Sequence, residues 1–500
     1  MLLELAAEGM PDRIAVGTGA DGISYAQLLE RARRGAAVVR AHGVERVGLV
    51  DMNSSAVPLL LYASALAGVP FTAVNYRLAD NRLRSVIERL APALVVSGEA
   101  ARARIQGVPG LELLTRDELE SRLERAESAG DLEVDADAVA VWLFTSGTTG
   151  EPKAALLRHR HLMSYVLSTV EFMCAGDDEA TLVSVPPYHV AGVAAVLSST
   201  YSGRRVVYLP QFDPDQWVRL AEAEAVTHAM VVPTMLGRLL DAMERDGTTL
   251  PSLRHLSYGG GRMPVAVIER AMDLLPHVGF VNAYGLTEAS STVAVLGPDD
   301  HRAAYRSDDP AVRVRLGSVG RPLPTLELEI RDPLGAALPP GETGEIHVRG
   351  EQIAGEYLGR SVLTRDGWFP TNDSGHLDEA GFLFVEGRFD DVIVRGGENM
   401  SPGEIEDVML QHPAVAEAGV TGVPDDDWGE VAAAAVVLEP GASTTEAELQ
   451  AWVRERLRSS RTPVVVDVRR ALPYNETGKL LRRVLKDELG RLATSKSTAT

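Results

Sequence analysis

The sequence predicts an α/β protein with a large N-terminal domain of helix-covered sheets, a β-rich subdomain and a small α+β C-terminal domain. Short β-branched runs alternate with amphipathic stretches over the first two thirds of the chain. Such alternation favours parallel sheets covered by helices on both faces. From about residue 310, glycine, proline and alternating strands dominate, which indicates antiparallel pairing. We place the N-terminal domain at residues 1–389 and the C-terminal domain at 390–500.

The individual elements follow from hydrophobic periodicity. The predicted strands of the first part are Val47–Val50, Ala93–Val96, Leu182–Val185, Val206–Leu209, Ala229–Val232 and Phe280–Ala283. Predicted helices between them include Tyr25–Arg40 and Asn81–Leu90. The predicted strands of the β-rich part are Glu327–Ile330, Glu345–Val348, Phe382–Val385 and Asp391–Val394.

Two capping-box patterns organise the C-terminal part. Ser401 and Glu404 have this spacing, and Pro402 stands at the first helical position, so a helix should begin there. Ser443 and Glu446 repeat the spacing. The other predicted elements of this part are the helix Ala447–Arg458 and the strands Ala432–Leu438 and Val464–Val468.

Charge and cysteine content exclude two classes of protein. The 500 residues carry a formal net charge of −21, which argues against a nucleic-acid binder because phosphate contacts need clustered Lys and Arg. Cys174 is the single cysteine, so neither an internal disulfide nor a cysteine-based zinc site is possible. A reducing cytosol fits this content, and we expect a cytoplasmic protein.

One uncharged stretch, Met52–Tyr76, is long enough to raise the question of a membrane span. Pro58, Gly68 and Pro70 interrupt it, so a buried helix over about 55–67 and a following strand are expected instead of an integral membrane segment. Gly17–Gly22 matches the dinucleotide fingerprint G-x-G-x-x-G. Another strand-like piece follows it instead of a helix, and a hairpin turn is therefore predicted.

A run of hydroxyl and glycine residues follows the apolar strand Ala138–Phe144 and closes on Lys153. The run consists of Thr145, Ser146, Gly147, Thr148, Thr149 and Gly150. Its backbone N–H groups can point inward, its glycines allow close approach, and the lysine supplies a counter-charge, which together describe a phosphate cradle. The separation of Gly150 from Lys153 excludes a Walker A loop. The alternative is a flexible surface turn.

A second motif, Asn282–Glu288, combines a ring, a glycine, a hydroxyl and a carboxylate after a strand. Open α/β sheets bind ligands at such strand ends, and Glu288 could hold Mg²⁺ beside a triphosphate. The alternative is an ordinary strand–turn–helix. Two weaker motifs are Gly387–Asp391 with Arg395–Asn399, alternatively a charged hairpin, and Leu472–Lys479, alternatively a solvated turn.

Taken in this order, the motifs resemble the adenylate-forming superfamily of acyl-CoA synthetases, peptide-synthetase adenylation domains and firefly-type luciferases. The block Thr-Ser-Gly-Thr-Thr-Gly-x-Pro-Lys, paired with Tyr-Gly-x-Thr-Glu, carries the resemblance, which spans roughly residues 10–490. Within the superfamily the chain looks most like acyl-CoA synthetases such as 4-chlorobenzoate CoA ligase and malonyl-CoA synthetase. The resemblance implies a large N-terminal domain and a mobile C-terminal domain.

The resemblance also implies an ATP site. The loop 145–153 would wrap the β- and γ-phosphates, Tyr284 would stack on adenine, and Asn282 would bond the adenine amine. Thr287 would touch the α-phosphate, and Glu288 would bind Mg²⁺. The backbone of three glycines would border the base: Gly259, Gly260 and Gly261.

Further roles follow from the same resemblance. Asp373 would hold the ribose hydroxyls with Arg388 nearby, Asp390 would be the hinge, and Lys479 would be the lysine required for adenylation. The family usually has Thr-Gly-Asp where this chain has Asn372 before the aspartate, which concerns only the local turn.

The resemblance implies a coenzyme A surface and an acyl pocket. The coenzyme A candidates are Gly396, Gly397, Glu398, Trp428, Arg458 and Arg461, the last two being alternatively solvated helix-end charges. The acyl-pocket candidates are His189, Val190, Ala191, Ala283, Ser290 and Ser291, with His189 alternatively a buried structural histidine. Small and polar residues favour a short-to-medium or polar-substituted carboxylic acid, aromatic acids included.

The expected reaction is ATP-dependent conversion of a carboxylate to an acyl adenylate, followed by transfer to coenzyme A. The cofactors are then ATP, Mg²⁺ and coenzyme A, and the partner is a small carboxylic acid. One alternative is loading of a carrier protein's phosphopantetheine in trans. Another is a nucleotide-binding regulator without turnover, against which Glu288, Asp373 and Lys479 argue.

Overall fold

The computed structural model describes residues 1–19, 21–130, 134–145, 153–396, 398–425, 427–474 and 480–497. Among these residues, helices and strands alternate up to about residue 280, and strands dominate from there to residue 400.

The N-terminal elements follow one another in two groups. The first group is α1 Leu2–Gly9, β1 Ile14–Val16, β2 Ile23–Ser24, α2 Tyr25–Ala41, β3 Arg46–Val50, α3 Ala56–Ala67, β4 Phe71–Ala73, α4 Asp80–Glu88, β5 Ala93–Ser97, α5 Glu99–Ile105, β6 Leu111–Leu114, α6 Arg116–Arg125, β7 Val139–Thr145, β8 Lys153–Arg158 and α7 His159–Thr169. The second group is β9 Ala180–Val183, α8 Val190–Ser202, β10 Arg205–Tyr208, α9 Pro214–Ala223, β11 His228–Val231, α10 Pro233–Asp246, β12 His255–Gly259, α11 Val265–Leu274, β13 Gly279–Leu286, β14 Ser291–Leu296, α12 Pro298–Arg306, α13 Pro310–Arg313 and β15 Arg321–Pro322.

The remaining elements form the β-rich and C-terminal parts. The β-rich part contains β16 Glu327–Arg331, β17 Gly344–Arg349, β18 Glu356–Tyr357, β19 Arg360–Ser361, β20 Phe369–Leu377 and β21 Leu383–Arg388. The C-terminal part contains β22 Ile393–Arg395, β23 Glu398–Met400, α14 Pro402–Leu410, β24 Val415–Asp425, β25 Gly429–Leu438, α15 Glu446–Arg456, β26 Val466–Arg469 and α16 Arg482–Ser497.

Two large sheets form the N-terminal part of the described chain. One has the strand order β15-β14-β13-β12-β11-β9-β10-β1-β2, and the other has the order β19-β18-β8-β7-β4-β3-β5-β6. Their central pairs are parallel, as β9 with β10 and β3 with β5. Antiparallel strands close both edges of the first sheet and one edge of the second, whose other edge strand, β6, is parallel to β5. The predicted helix-covered parallel sheets are therefore confirmed. The helix after β2 is fixed by a capping box in which Gln27 N–H donates to Ser24 Oγ at 3.3 Å.

Two smaller sheets follow. The sheet β16-β17-β20-β21 is antiparallel throughout, as the glycine- and proline-rich sequence predicts. The last sheet, β23-β22-β25-β24 with β26 beside β25, begins at Ile393 and packs a core that includes Ile405, Met409 and Leu449. Its separate core is what an α+β unit of this size needs to be stable.

Both ambiguous N-terminal stretches are settled by the structure. β1 and β2 are an antiparallel pair with Val16 opposite Ile23, which confirms the hairpin at the G-x-G-x-x-G match. α3 ends at Gly68, whose φ of 78° is a left-handed conformation that stops a helix. Of the helices that the structure describes, none has both the length and the apolar character to cross a membrane.

Both predicted capping boxes of the C-terminal part were wrong in detail. α14 begins at Pro402 as predicted, but the Ser401 hydroxyl donates to the Glu386 carbonyl (3.0 Å) instead of capping the helix. α15 is capped by Thr445 with Glu448, two residues beyond the predicted Ser443 and Glu446 pair. Glu446 instead accepts a hydrogen bond from Val466 N–H at 3.0 Å, so a tertiary contact selects between two overlapping patterns.

Candidate active site

The candidate site lies where β12 and β13 end and the β20–β21 sheet begins. Gly259 of β12 faces Ala283 of β13, and a Cβ atom at residue 259 would lie 2.3 Å from the Ala283 carbonyl oxygen. A Cβ atom at Gly285 would lie 1.8 Å from the Ser291 carbonyl oxygen. Glycine is therefore required at both positions, because the backbones of β12 and β13, and of β13 and β14, approach too closely there for a side chain.

Three residues predicted for the nucleotide site meet at one carboxylate. The Tyr284 hydroxyl donates to Asp373 Oδ2 at 2.6 Å, and Arg388 Nε lies 3.2 Å from Asp373 Oδ1. Asp373 and Arg388 stand opposite each other on β20 and β21, and Arg388 also donates to the Thr371 carbonyl at 3.0 Å. Burial and the Asp373 charge raise the pKa of the Tyr284 phenol well above its ordinary value, so the phenol remains a donor.

The unusual Asn372 has a clear structural reason. Its φ is 60°, in the left-handed region, where asparagine is among the few residues that substitute for glycine at low cost. The turn presents Asp373, whose N–H donates to Thr371 Oγ1 at 3.1 Å. Asparagine in place of glycine is therefore compatible with the turn that carries the aspartate.

Asn282 is buried at the same strand end. Its amide nitrogen donates to the Ser318 carbonyl at 3.0 Å. This contact orients the side chain and leaves its carboxamide oxygen as the acceptor for a hydrogen bond from an adenine amine.

Glu288 lies in a short 3₁₀ turn, Thr287–Ala289, directly after β13. Its carboxylate is buried and accepts a hydrogen bond from the Tyr357 hydroxyl. Its main-chain oxygen accepts hydrogen bonds from Ala354 N–H (2.9 Å) and Gly355 N–H (3.1 Å).

The surroundings of Glu288 fit Mg²⁺ that arrives with ATP. Within the described residues, no cluster of three or more His, Cys, Asp or Glu side chains forms a protein-only metal cage. Mg²⁺ is usually bound by one or two carboxylates together with substrate phosphates. A single buried, oriented carboxylate is the donor set that this mode of binding needs.

The two ends of the predicted phosphate loop meet as neighbours on β7 and β8. Thr145 pairs with Lys153, and the Thr145 hydroxyl donates to the Lys153 carbonyl at 3.4 Å. The loop residues Ser146, Gly147, Thr148, Thr149 and Gly150 lie outside the described residues. Lys153 Nζ is 6.0 Å from the centroid of the Tyr357 ring, which links this loop to Glu288.

Sequence reasoning missed Tyr357. It occupies a two-residue strand, β18, and pairs with Ala155 of β8. No local pattern marks it, because its importance comes from contacts with residues that are distant in the chain.

The candidate acyl-pocket residues lie in two places. His189 caps α8, its Nδ1 accepting from Ala191 N–H at 3.2 Å, so the cap requires Nδ1 to be unprotonated. Ser290 is fully buried and its hydroxyl donates to the Gln352 carbonyl at 2.8 Å. Ser290 and Ser291 have φ values of 60° and 132°, which makes the turn after Glu288 tight. Their part in an acyl pocket stays a prediction.

The coenzyme A candidates are partly brought together. Gly396 N–H donates to the Trp428 carbonyl at 2.8 Å, and the Arg395 guanidinium stacks 4.4 Å from the Trp428 ring centroid. Arg461 Nε lies 3.2 Å from Glu404, and Arg458 precedes it at the start of the same 3₁₀ turn. Gly397, the side chains of Asp390 and Glu398, and Lys479 lie outside the described part of the chain.

An ion pair joins the N-terminal and C-terminal parts. Arg262, directly after the glycine run 259–261, bonds Asp407 of α14. Gly403 makes room for it, since a Cβ atom there would lie 1.7 Å from an Arg262 guanidinium nitrogen. The first C-terminal helix is therefore docked beside the residues predicted to border adenine.

Comparison with known proteins agrees with this geometry. The family of AMP-binding enzymes matches residues 3–358, and the AMP-binding enzyme C-terminal domain matches residues 404–479. Feruloyl-CoA synthase from Amycolatopsis sp. is 34% identical over 497 residues, covering 96% of each chain. The chain belongs to the AMP-binding enzyme family.

Two solved structures share the whole architecture. ATP-bound MatB from Rhodopseudomonas palustris is 30% identical with a TM-score of 0.87, covering 99% of this chain and 100% of that one. The o-succinylbenzoate CoA synthetase MenE from Bacillus subtilis, in complex with the acyl-adenylate intermediate OSB-AMP, is 28% identical with a TM-score of 0.82. That alignment covers 97% of this chain and 98% of the other.

Proposed function

We propose that this chain is a coenzyme A ligase for a polar-substituted aromatic carboxylic acid. The chain is an AMP-forming acyl-CoA ligase: ATP converts the acid to an acyl adenylate with release of pyrophosphate, and the coenzyme A thiol then yields acyl-CoA and AMP. The observation that carries the proposal is the convergence of Tyr284, Asp373 and Arg388 at a strand end next to Glu288.

The first half-reaction must bring a carboxylate to the negatively charged α-phosphate. Positive charge and donors arranged in advance lower that barrier. Mg²⁺, held by Glu288 together with the ATP phosphates, supplies charge neutralisation at the phosphates when bound. Lys153 provides a fixed cation at the end of the phosphate loop, and Thr287 offers a hydroxyl beside Glu288. We assign Lys479 to the substrate carboxylate and the α-phosphate.

The second half-reaction needs a path for a thiol. We propose that the C-terminal domain, residues 390–500, turns about Asp390 and brings the loop after Arg395 to the site. Gly396 suits a narrow passage because it has no side chain, and its φ of 57° is a conformation that glycine adopts readily. Trp428, which is 49% exposed and stacks under Arg395, offers a face to coenzyme A.

The acid is inferred from relatives and from side-chain size. Feruloyl-CoA synthase and 2-succinylbenzoate–CoA ligase are named for aromatic acids that carry further polar groups. Ala283, a small residue of β13, would leave space for a ring beside this strand, whereas Ala191 is buried in a core cluster with Val183 and Val185. The polar groups of such an acid would contact His189 and Ser291.

A panel of acids tests the assignment. Pyrophosphate release is measured with ferulate, 2-succinylbenzoate, 4-chlorobenzoate, malonate and palmitate. We expect at least tenfold higher kcat/KM for an aromatic acid than for malonate or palmitate, since one or two well-placed contacts supply such a ratio. A preference for palmitate or malonate contradicts the proposal. Coenzyme A and a phosphopantetheinylated carrier protein are then compared as acceptors, and coenzyme A is expected.

Two variants test the division between half-reactions. Lys479→Ala should slow acyl-adenylate formation by orders of magnitude and leave thiolation of preformed acyl adenylate intact. Lys486→Ala is the matched control and should affect neither half-reaction. Lys486 lies on α16 and pairs with Glu430 of β25. Equal loss in both half-reactions of Lys479→Ala refutes its assignment.

Asp390→Pro should restrict the hinge and uncouple the two steps, because proline fixes φ at the pivot. Overall turnover should then fall while one half-reaction keeps its wild-type rate. Unchanged overall turnover would be evidence against a domain movement about residue 390.

We also place the enzyme in the cytoplasm. An exposed, unpaired thiol such as Cys174 is typical of a reducing compartment. Cell fractionation with an antibody against the chain tests this, and recovery from an oxidising compartment would contradict it.

A further inference from the structure

The side chain of Tyr357 contacts two separate groups of the phosphate site. Its hydroxyl donates to Glu288 Oε1, and its ring centroid lies 6.0 Å from Lys153 Nζ. The guanidinium carbon of Arg360 lies 5.5 Å from the same centroid. The polar end of the tyrosine therefore touches the acid proposed for Mg²⁺, while its face lies beside a lysine of the phosphate loop.

The position of Tyr357 is fixed by the strand that carries it. Tyr357 pairs with Ala155 of β8, the strand that starts at Lys153. The preceding residue, Glu356, makes a two-pronged ion pair with Arg158, with Nε–Oε2 at 2.9 Å and Nη2–Oε1 at 2.8 Å. Such bidentate pairs fix direction as well as distance. The tyrosine therefore keeps its place relative to the exit of the phosphate loop.

The same segment holds the main chain of Glu288. The N–H groups of Ala354 and Gly355 donate to the Glu288 carbonyl at 2.9 and 3.1 Å. Residues 354–357 therefore hold Glu288 in two ways: two N–H groups donate to its main-chain carbonyl, and the Tyr357 hydroxyl donates to its carboxylate. A carboxylate already held by a donor loses less rotational freedom when it takes up a cation.

We propose that Tyr357 is a positioning residue for the metal-bearing phosphates of ATP: its hydroxyl orients the Glu288 carboxylate, and its ring orients Lys153 toward the same phosphates. This inference rests on the proposed role of Glu288 in binding Mg²⁺. Partners that orient a metal ligand typically change metal affinity 10- to 100-fold, and an aromatic face attracts an ammonium group. The two ends of the side chain therefore have separable effects.

The test compares the Kd of ATP by calorimetry in saturating Mg²⁺ and in EDTA, without acid or coenzyme A. Tyr357→Phe removes only the hydroxyl, so affinity with Mg²⁺ should fall about tenfold while affinity in EDTA is unchanged. Tyr357→Leu also removes the ring and should weaken binding in both media. Tyr305→Phe is the matched control, because its hydroxyl also donates to a carboxylate, Asp273, at an exposed position.

Glu288→Gln distinguishes a failure of the proposed metal role of Glu288 from a failure of the positioning role of Tyr357. If Mg²⁺ strengthens ATP binding equally in wild type and Glu288→Gln, the proposed metal role of Glu288 fails. If Glu288→Gln loses the Mg²⁺ effect and Tyr357→Phe retains it in full, only the positioning role is overturned. Equal losses in Mg²⁺ and in EDTA, together with a lower Tm for Tyr357→Phe, would indicate a structural role and overturn the inference as well.

Discussion

The Tyr284 phenol and the Asp373 carboxylate are joined by a 2.6 Å hydrogen bond that connects two sheets, since Tyr284 lies in β13, shortly before its last residue Leu286, and Asp373 lies in β20. Arg388 holds the other carboxylate oxygen at 3.2 Å. The aspartate that would bind ribose is thus oriented by one neutral and one charged donor. A group held in this way is ready for a ligand without rearrangement.

Removing the charge at this point should weaken nucleotide binding through the ribose alone. We expect Asp373→Asn to raise the Kd of ATP about tenfold or more, because hydrogen bonds to a charged acceptor contribute about 1.5–3 kcal/mol. The affinity for tripolyphosphate, which has no ribose, should stay unchanged. Competition binding measures both, and Asp366→Asn, an exposed aspartate bonded to Thr364, is the control. Equal weakening of both ligands would argue for general damage to the site.

The contact between Arg262 and Asp407 should influence the balance of the half-reactions. The arrangement of the chain is similar to that of ATP-bound MatB, so the ion pair belongs to an arrangement compatible with nucleotide binding. Partly exposed ion pairs contribute about 0.2–1 kcal/mol. We therefore expect Arg262→Gln to slow acyl-adenylate formation about two- to fivefold without slowing thiolation of preformed acyl adenylate.

The control for that variant is Arg270→Gln, whose ion pairs with Asp241 and Glu244 stay within the N-terminal part. High salt should reduce the difference between wild type and Arg262→Gln, since exposed charges are screened. A slower thiolation step in Arg262→Gln would contradict the assignment.

A largely buried ion pair joins α14 to the last helix, α16, and its arginine also contacts the C-terminal sheet. Arg482 of α16 bonds both oxygens of Glu406, at 2.5 and 2.9 Å, and also contacts the Val420 carbonyl. Removing one partner leaves a buried charge uncompensated, which costs about 3–5 kcal/mol. Arg482→Met should therefore lower the Tm measured by calorimetry strongly. The double variant Glu406→Leu/Arg482→Met should lose less stability than the sum of the losses in the two single variants. Strict additivity would show that the pair is not coupled.

The loss of unfolding free energy below neutral pH should depend on His301. Its Nδ1 bonds the Gly297 carbonyl at 2.8 Å, which requires a proton there, so neutral Nε2 accepts from the Tyr258 hydroxyl at 2.8 Å. Burial lowers the pKa of His301 to about 4. The unfolded chain, with a pKa near 6.5, binds this proton first, so stability present at pH 7 is lost as the pH falls from about 6.5 toward 4.

Urea unfolding at pH 7.5 and pH 5.0 measures that effect. We expect the loss of unfolding free energy between the two pH values to be smaller in His301→Gln by on the order of 2 kcal/mol. His277→Gln, at an exposed histidine, is the control. An identical loss in wild type and His301→Gln would contradict the prediction.

The sequence predicted what local pattern controls and missed what distant contacts decide. Helix α2, the hairpin after β1 and the antiparallel sheet β16-β17-β20-β21 follow from periodicity and turn residues. The cap of α15 was misplaced because Ser443 and Thr445 begin overlapping patterns, and only the contact of Glu446 with β26 distinguishes them.

The site shows the same division. Asp373 and Arg388 were predicted from the family resemblance, and the structure places Arg388 Nε 3.2 Å from the Asp373 carboxylate. Tyr357 was missed because its partners, Ala155 and Glu288, are 202 and 69 residues away along the chain. No local spacing reports on a contact of that kind.

The close backbone approaches at Gly259 and Gly285 constrain how this enzyme could acquire new substrates. A side chain at either position would collide with a main-chain oxygen, at 2.3 or 1.8 Å, which cannot move without displacing a strand. A saturation-mutagenesis library should therefore yield almost no active clones at these two positions. Adaptation to a different acid must proceed through neighbouring side chains, while the strand framework of the candidate site stays unchanged.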